Sequence, residues 1–231
     1  MNWLVVFKKK NTFKFVVLIL NKINMKKIIL TVAAVFVLGF ANAQDKKESK
    51  GFGFSKGDIF VEGSLTMNST NDKNTEVKTS SMNFSPKAGY LLSDKFAVGL
   101  NLGFGSGKST TSGTDTNKTS SFTVGAFGRY YFLELGQRFK TYTEFGFNVG
   151  SEKVGVGSTV TTNTFNLGAG LGMNYFVTPK VAISFGLGNV INYGTSKTDM
   201  SGDKGSSDMN VNLNVFNNFF NTPTFGALYK F

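Results

Sequence analysis

The chain has 231 residues with 27 Gly, 25 Phe and 7 Tyr, but no Cys, no His and only 3 Pro. The lack of histidine excludes a Ser-His-Asp triad and an imidazole metal site; the lack of cysteine excludes a disulfide framework, a zinc ribbon and an iron–sulfur cluster. The formal net charge of +11 is that of a nucleic-acid binder, yet residues 1–43 hold seven lysines and no acid, which leaves +4 for the remainder.

Residues 25–43 read MKKIILTVAAVFVLGFANA. Lys26 and Lys27 form a positive start, Ile28 to Phe40 an apolar core too short to span a bilayer comfortably, and Ala41-Asn42-Ala43 a small-x-small cleavage site. This predicts a secretory signal peptide cleaved after Ala43. Residues 1–24 form a basic, apolar extension ahead of a second methionine, so translation is expected to start at Met25. Export without cysteine fits a bacterial envelope better than a disulfide scaffold. Residues 44–56 are expected to be a periplasmic segment, and no sequence signal makes them a lumen plug.

From residue 57 onward the pattern has a period of two. In the first strand Ile59, Val61, Leu65 and Met67 oppose Phe60, Glu62, Ser64 and Thr66. In the second, Met82, Phe84, Ala88, Tyr90 and Leu92 oppose Asn83, Ser85, Lys87 and Gly89. The third, FAVGLNLGFG from Phe96, sets five apolar residues against Ala97, Gly99, Asn101, Gly103 and Gly105. The fourth opposes Phe122, Val124, Ala126, Tyr130 and Phe132 to Thr123, Gly125, Phe127, Arg129 and Tyr131. The fifth opposes Phe145, Phe147 and Val149 to Lys140, Tyr142, Glu144, Gly146 and Asn148. The sixth alternates from Phe165 to Tyr175 against Asn166, Gly168, Gly170, Gly172 and Asn174. The seventh sets Val181, Ile183, Phe185 and Leu187 against Ala182, Ser184, Gly186 and Gly188. The last runs through Val211, Leu213 and Val215, then Phe225, Ala227, Tyr229 and Phe231, with a bulge or kink expected across Phe216 to Pro223.

Connections alternate in kind. Ser93-Asp94-Lys95, Leu133 to Gln137 and Val177 to Lys180 are tight. Segments 68–79, 106–118, 151–161 and 194–208 are rich in Ser, Thr, Asn, Gly and charge, and are expected to be four long loops. Short turns at one end and long loops at the other are the habit of a transmembrane barrel. The faces agree. Eight strands enclose an interior only just wide enough for side chains, so the bulky Phe, Leu, Val and Ile cannot all point inward. Turned outward they meet lipid, and closing the sheet leaves no unpaired edge in hydrocarbon. Tyr90, Phe96, Tyr130, Phe132, Phe139, Tyr175, Phe176, Tyr229 and Phe231 cluster beside the short turns, as an interfacial girdle would.

The signal peptide, the eight amphipathic strands and the ending Thr224 to Phe231 together resemble the small outer-membrane β-barrel family. Its members are OmpA/OmpX-like eight-stranded proteins, here in the version typical of Bacteroidetes. The resemblance covers residues 57–231 and implies an all-β, antiparallel, up-and-down transmembrane barrel in the outer membrane of a Gram-negative cell. Phe225, Tyr229 and the terminal Phe231 are similar to the signal read by the barrel-assembly machinery, which the resemblance implies as a biogenesis partner. It implies no peptidoglycan-binding domain, because the chain stops at the barrel's end.

Five charges fall on the inward face: Glu62, Lys87, Arg129, Lys140 and Glu144. Buried charges must pair or be watered, so a structural salt-bridge network that plugs the lumen is expected, with a gated ion path as the rival. GFGSGKST at Gly103 to Thr110 fails as a phosphate loop, because Leu102 occupies a required glycine position and no helix follows. Gly168, Gly170 and Gly172 are alternate inward positions on one strand, where glycine makes room for a large neighbour. No catalytic residue, metal or cofactor is assigned. The expected function is non-enzymatic, structural or surface-interacting through the four loops, for a monomer whose partners are outer-membrane lipid and lipopolysaccharide and not nucleic acid. A small porin-like channel is the first alternative, a lipid-modifying outer-membrane enzyme the second, adhesion the third.

Overall fold

The computed structural model describes residues 51–214 and 224–231. The signal peptide, the extension before it and the kink expected at Phe216 to Pro223 lie outside the described residues.

Among the described residues, period-two sequence becomes nine strands: β1 (Ile59–Asp72), β2 (Val77–Ser93), β3 (Phe96–Thr111), β4 (Thr114–Leu135), β5 (Phe139–Val154), β6 (Val160–Phe176), β7 (Val181–Thr198), β8 (Ser206–Val211) and β9 (Thr224–Lys230). Each of β1 to β7 pairs antiparallel with the next in sequence. The eighth position of the ring is filled in two pieces. β8 pairs with β7 on the long-hairpin side, from Ile191↔Val211 to Ser196↔Ser206. β9 closes the ring at the other end, pairing with β7 from Val181↔Tyr229 and with β1 from Phe60↔Lys230. The result is an eight-position, all-β, up-and-down barrel.

The alternation decides which side chains are wet. Leu65, Leu100, Phe145, Phe147, Phe225 and Tyr229, all on the outward parity, are between 42% and 57% exposed. So broad an apolar exterior is far more than a water-soluble monomer tolerates, and it fits a barrel wall against lipid. Phe176 is the exception to the expected girdle. It is fully buried, because it shares the inward parity of Asn174 two residues earlier.

The four long polar segments are a correction to the sequence reading. They are mostly strand. The connections shrink to residues 73–76, 112–113, 155–159 and 199–205, and the ladders run almost to the tips. Serine and threonine keep the extended backbone, and the tips carry their own turn chemistry. Ser112 and Gly113 have φ of 49° and 80°, the left-handed pair that a two-residue hairpin requires. Asp72 accepts the Asn74 amide at 2.8 Å. Ser112 Oγ donates to Glu76 Oε2 at 2.6 Å and ties two hairpin tips together. β4 has 22 residues, about 70 Å of chain at ~3.3 Å per residue. Even when tilted by ~40° it rises well beyond an apolar band ~25 Å tall, so the hairpins project from the membrane.

Register slips are found where the alternation hid them. Pairing shifts at Leu91/Ser93, Ser109/Thr110, Tyr131/Leu133 and twice between β6 and β7. The two β6–β7 bulges bring Asn189 opposite Gly170 and Asn192 opposite Gly168.

Candidate functional site

Four of the five inward charges, Glu62, Lys87, Arg129 and Glu144, meet at one height in the short-turn half of the lumen. Glu62 lies opposite Lys87 across the β1–β2 ladder, and Arg129 lies opposite Glu144 across β4–β5. Arg129, on β4, reaches across the lumen to β1. Its Nη1 and Nη2 donate to the two oxygens of Glu62 at 2.8 and 3.1 Å, a bidentate fork. Its Nε and Nη2 donate to Glu144 Oε2 at 2.9 and 2.5 Å. Lys87 Nζ donates to the other oxygen of Glu144. Two carboxylates thus face two cations, and the cage is neutral.

A polar relay and a set of rings enclose it. Ser184 Oγ donates to Glu62 at 3.2 Å, Asn174 Nδ2 donates to Ser184 Oγ at 2.8 Å, and Tyr131 OH donates to Asn174 Oδ1 at 3.2 Å. The Arg129 guanidinium lies 3.9 Å from the Tyr142 ring centre, 5.2 Å from Phe60 and 5.5 Å from Phe127. Arg129 is fully buried. A cation so far from water is tolerable because its N–H groups meet carboxylates and its faces meet π-clouds. Glycines provide the room for these rings. A Cβ at Gly89 would run into Phe60, at Gly99 into Phe127, and at Gly172 into Tyr142.

Lys140 is not part of this cage. It pairs with Glu134 at 2.6 Å, near the rim. Cross-strand register explains the separation: Lys140 is two inward positions below Glu144 on β5, about 13 Å along the strand. The partners Tyr131, Tyr142, Asn174 and Ser184 were on the inward face of the sequence pattern, but only the register puts them level. Asn174 faces Ser184 directly across β6–β7.

The short-turn mouth of the lumen is closed by residues ahead of β1. Phe54 stacks on Tyr131 at 4.7 Å, on Phe176 at 5.1 Å and on Phe60 at 5.6 Å. Arg138 lies 4.5 Å over the Phe52 ring. The Gly53 carbonyl between them accepts from Lys230 Nζ at 2.7 Å, and the Lys56 amide donates to Asp94 in the β2–β3 turn at 2.7 Å. Sequence reading gave this segment no role inside the lumen. Its one signal was Phe52-Gly53-Phe54, two aromatics on one parity just before Phe60.

Above the cage the lumen is polar. Asn101 and Asn148 bond across the inward face over Gly125, where a Cβ would strike both. Higher still, Thr79, Ser81, Asn83, Thr119 and Ser121, with Glu152 and Lys108, line a cavity of about 250 Å³. Of the predicted assembly residues, Phe225 lies edge-on to Phe185 at 5.5 Å and Tyr229 edge-on to Phe231 at 4.8 Å, both at the closing seam. The rejected phosphate-loop segment is plain strand in β3. Among the described residues, no helix is long and apolar enough to cross a membrane, and no group of three or more acidic side chains could hold a metal ion.

No curated protein sequence matches the chain. Solved structures give likenesses of fold. The outer membrane protein OprG of Pseudomonas aeruginosa is 14% identical, with a TM-score of 0.46, over 78% of this chain and 98% of that one. The Escherichia coli outer membrane protein W is 14% identical, with a TM-score of 0.45, over 77% and 99%. Neisserial surface protein A is 17% identical, with a TM-score of 0.41, over 75% and 96%. The model of the outer membrane protein β-barrel domain matches residues 31–229, which span the whole ring from β1 into β9, and the chain belongs to that family of outer-membrane barrels.

Proposed function

We propose that the protein is a non-conducting, non-enzymatic outer-membrane barrel that works as a structural element and presents its long hairpins outside the cell. The observation that carries this reading is the double closure of the lumen: the Arg129 cage, and beneath it the Phe52 and Phe54 rings. A neutral, fully bonded cage offers a passing ion neither a site nor a hydrated path. In this reading residues 25–43 are a signal peptide cleaved after Ala43, translation starts at Met25, and the short turns face the periplasm. The assembly machinery reads Phe225, Tyr229 and Phe231, and the mature monomer has outer-membrane lipid and lipopolysaccharide as its partners.

Planar-bilayer recording on residues 44–231 folded in detergent tests the reading. The expected result is no resolved conductance steps. Steps of constant size, altered by Glu62→Gln, would overturn it in favour of a small channel. That second reading draws on one observation, the hydroxyl- and amide-lined cavity above the cage, which is wide enough for water.

A further inference from the structure

The outward face at the hairpin end of β1 to β5 carries a feature that neither lipid contact nor the lumen explains. Cross-strand register stacks three rows there. The lowest is Phe84↔Phe104↔Phe122, with the last two ring centres 5.4 Å apart. The next is Met67↔Met82↔Ser106↔Ser120↔Lys153. The third is Ser80↔Lys108↔Lys118. All these residues share the outward parity. Rows two residues apart on a strand are about 7 Å apart. Three ammonium groups therefore sit within one or two rows of an aromatic belt.

The cluster is not a self-neutralised surface network. Asp115 accepts from both Lys108 and Lys118 at 2.8 Å, but one carboxylate cannot balance three lysines. Glu152, the neighbour of Lys153, takes the opposite parity and pairs with the inward Ser121 instead. Met67, Met82, Lys108, Lys118 and Lys153 line one outward groove, with Thr159 of the β5–β6 connection at its rim. The Lys108 and Lys118 side chains are each about half exposed. An apolar floor with a basic, hydroxyl-bearing upper rim matches a molecule with acyl chains below and phosphate above. Free phosphate would have no use for the Met and Phe floor, and a neutral lipid none for the lysines.

We infer that Lys108, Lys118 and Lys153, with Ser106 and Ser120 between them, bind the phosphorylated headgroup of a glycolipid of the outer leaflet, whose chains lie on Met82, Phe104 and Phe122. This rests on the proposed orientation, with the hairpins outward. Ammonium groups suit phosphate as mobile point charges, and the nearby low-dielectric belt strengthens their pull relative to open water.

The test measures binding of fluorescent bis-phosphorylated lipid A to the barrel in neutral detergent micelles, with dephosphorylated lipid A as the paired probe. Variants are the triple K108Q/K118Q/K153Q and a control triple of equal charge change, K73Q/K197Q/K204Q. The wild type and the control should bind the phosphorylated lipid alike. The first triple, and the wild type with the dephosphorylated probe, should each bind about tenfold more weakly, the sum of three modest exposed ion contacts. Equal binding of both probes by the wild type overturns the inference without any variant being needed, and so does equal weakening in the two triples. Competition by inorganic pyrophosphate at the lipid's own concentration overturns the lipid assignment in favour of free phosphate. A wild type that gives no heat-modifiable barrel on a gel contradicts the membrane reading itself, a separate failure.

Discussion

Two ion networks in this barrel use the same contact lengths to opposite ends. Arg129 meets Glu62 at 2.8 Å, and Lys108 and Lys118 each meet Asp115 at 2.8 Å. Arg129 is fully buried, while the two lysines are about half exposed. Around Arg129 and Glu62 little water can replace a lost partner, so each is held by the penalty of leaving the other unpaired. At the hairpin end water competes for every bond, and the lysines stay available to a ligand. The lesson is that burial, not geometry, separates a structural ion pair from an adaptable one.

The comparison breaks first if the cage is dispensable. Arg129→Met leaves Glu62 and Glu144 facing each other with Lys87 as the remaining cation. It should cost about 3–5 kcal/mol, read as a lowered urea midpoint for the barrel in lipid vesicles. Adding Glu62→Gln, which leaves Lys87 and Glu144 as a neutral pair, should restore most of that loss, because the penalty lies in the orphaned charge. A double variant as weak as the single one would mean that the guanidinium's packing on Tyr142 matters more than its charge.

Gly172→Ala comes next. Its Cβ would enter the Tyr142 ring, and the forced shift of that ring off Arg129 should cost about 1–3 kcal/mol in the same unfolding measurement. Phe54→Ala should cost somewhat less, about 1–2 kcal/mol, because the ring is only partly enclosed. Its sharper readout is access: a small thiol-reactive probe added from the short-turn side should reach a cysteine placed at Ser184 faster in the Phe54→Ala protein than in its parent. Equal rates would mean that the cage alone seals the lumen.

The smallest effects belong to the hairpin end. Asp115→Asn should leave the heat-modification temperature unchanged, since both its lysines simply return to water. Asp203, in the β7–β8 connection, accepts the amides of Gly205 at 2.8 Å and Thr198 at 2.6 Å. These bonds hold its carboxyl below the ordinary value of 3.8. A lowered folded pKa means that the ordering of this turn is fully present above the unfolded value and is lost as pH falls through the folded one. Protection of the Gly205 amide, its exchange rate relative to the intrinsic rate at the same pH, should therefore be flat from neutral pH to about pH 4 and fall only below it. A fall already at pH 6 would show that the carboxylate does not order the turn.

Much of this was legible in residue order. Parity alone placed Glu62, Lys87, Arg129 and Glu144 inside and Phe104, Phe145 and Phe147 outside, because a strand has one period and two faces. Parity also put Phe176 inside, although its position beside a short turn suggested the girdle. The polar stretches read as loops because Ser, Thr and Asn are at home both in turns and in extended hairpins. Only the continuous ladder from Asp72↔Val77 down to Ile59↔Tyr90 distinguishes the two.

The sequence by itself determined the face of every regular strand and the number of staves, since each follows from local alternation and from what lipid and a narrow lumen can accept. The tertiary structure decided which inward residues share a height. Register is set by closure of the whole ring and by bulges such as those that leave Leu187 and Val190 of β7 without a partner position on β6, each of which displaces every later residue of β7. It also decided that Phe52 and Phe54 fill the mouth. The pocket that receives them is built from Phe60, Tyr131 and Phe176 on three different strands, and no stretch of chain contains it.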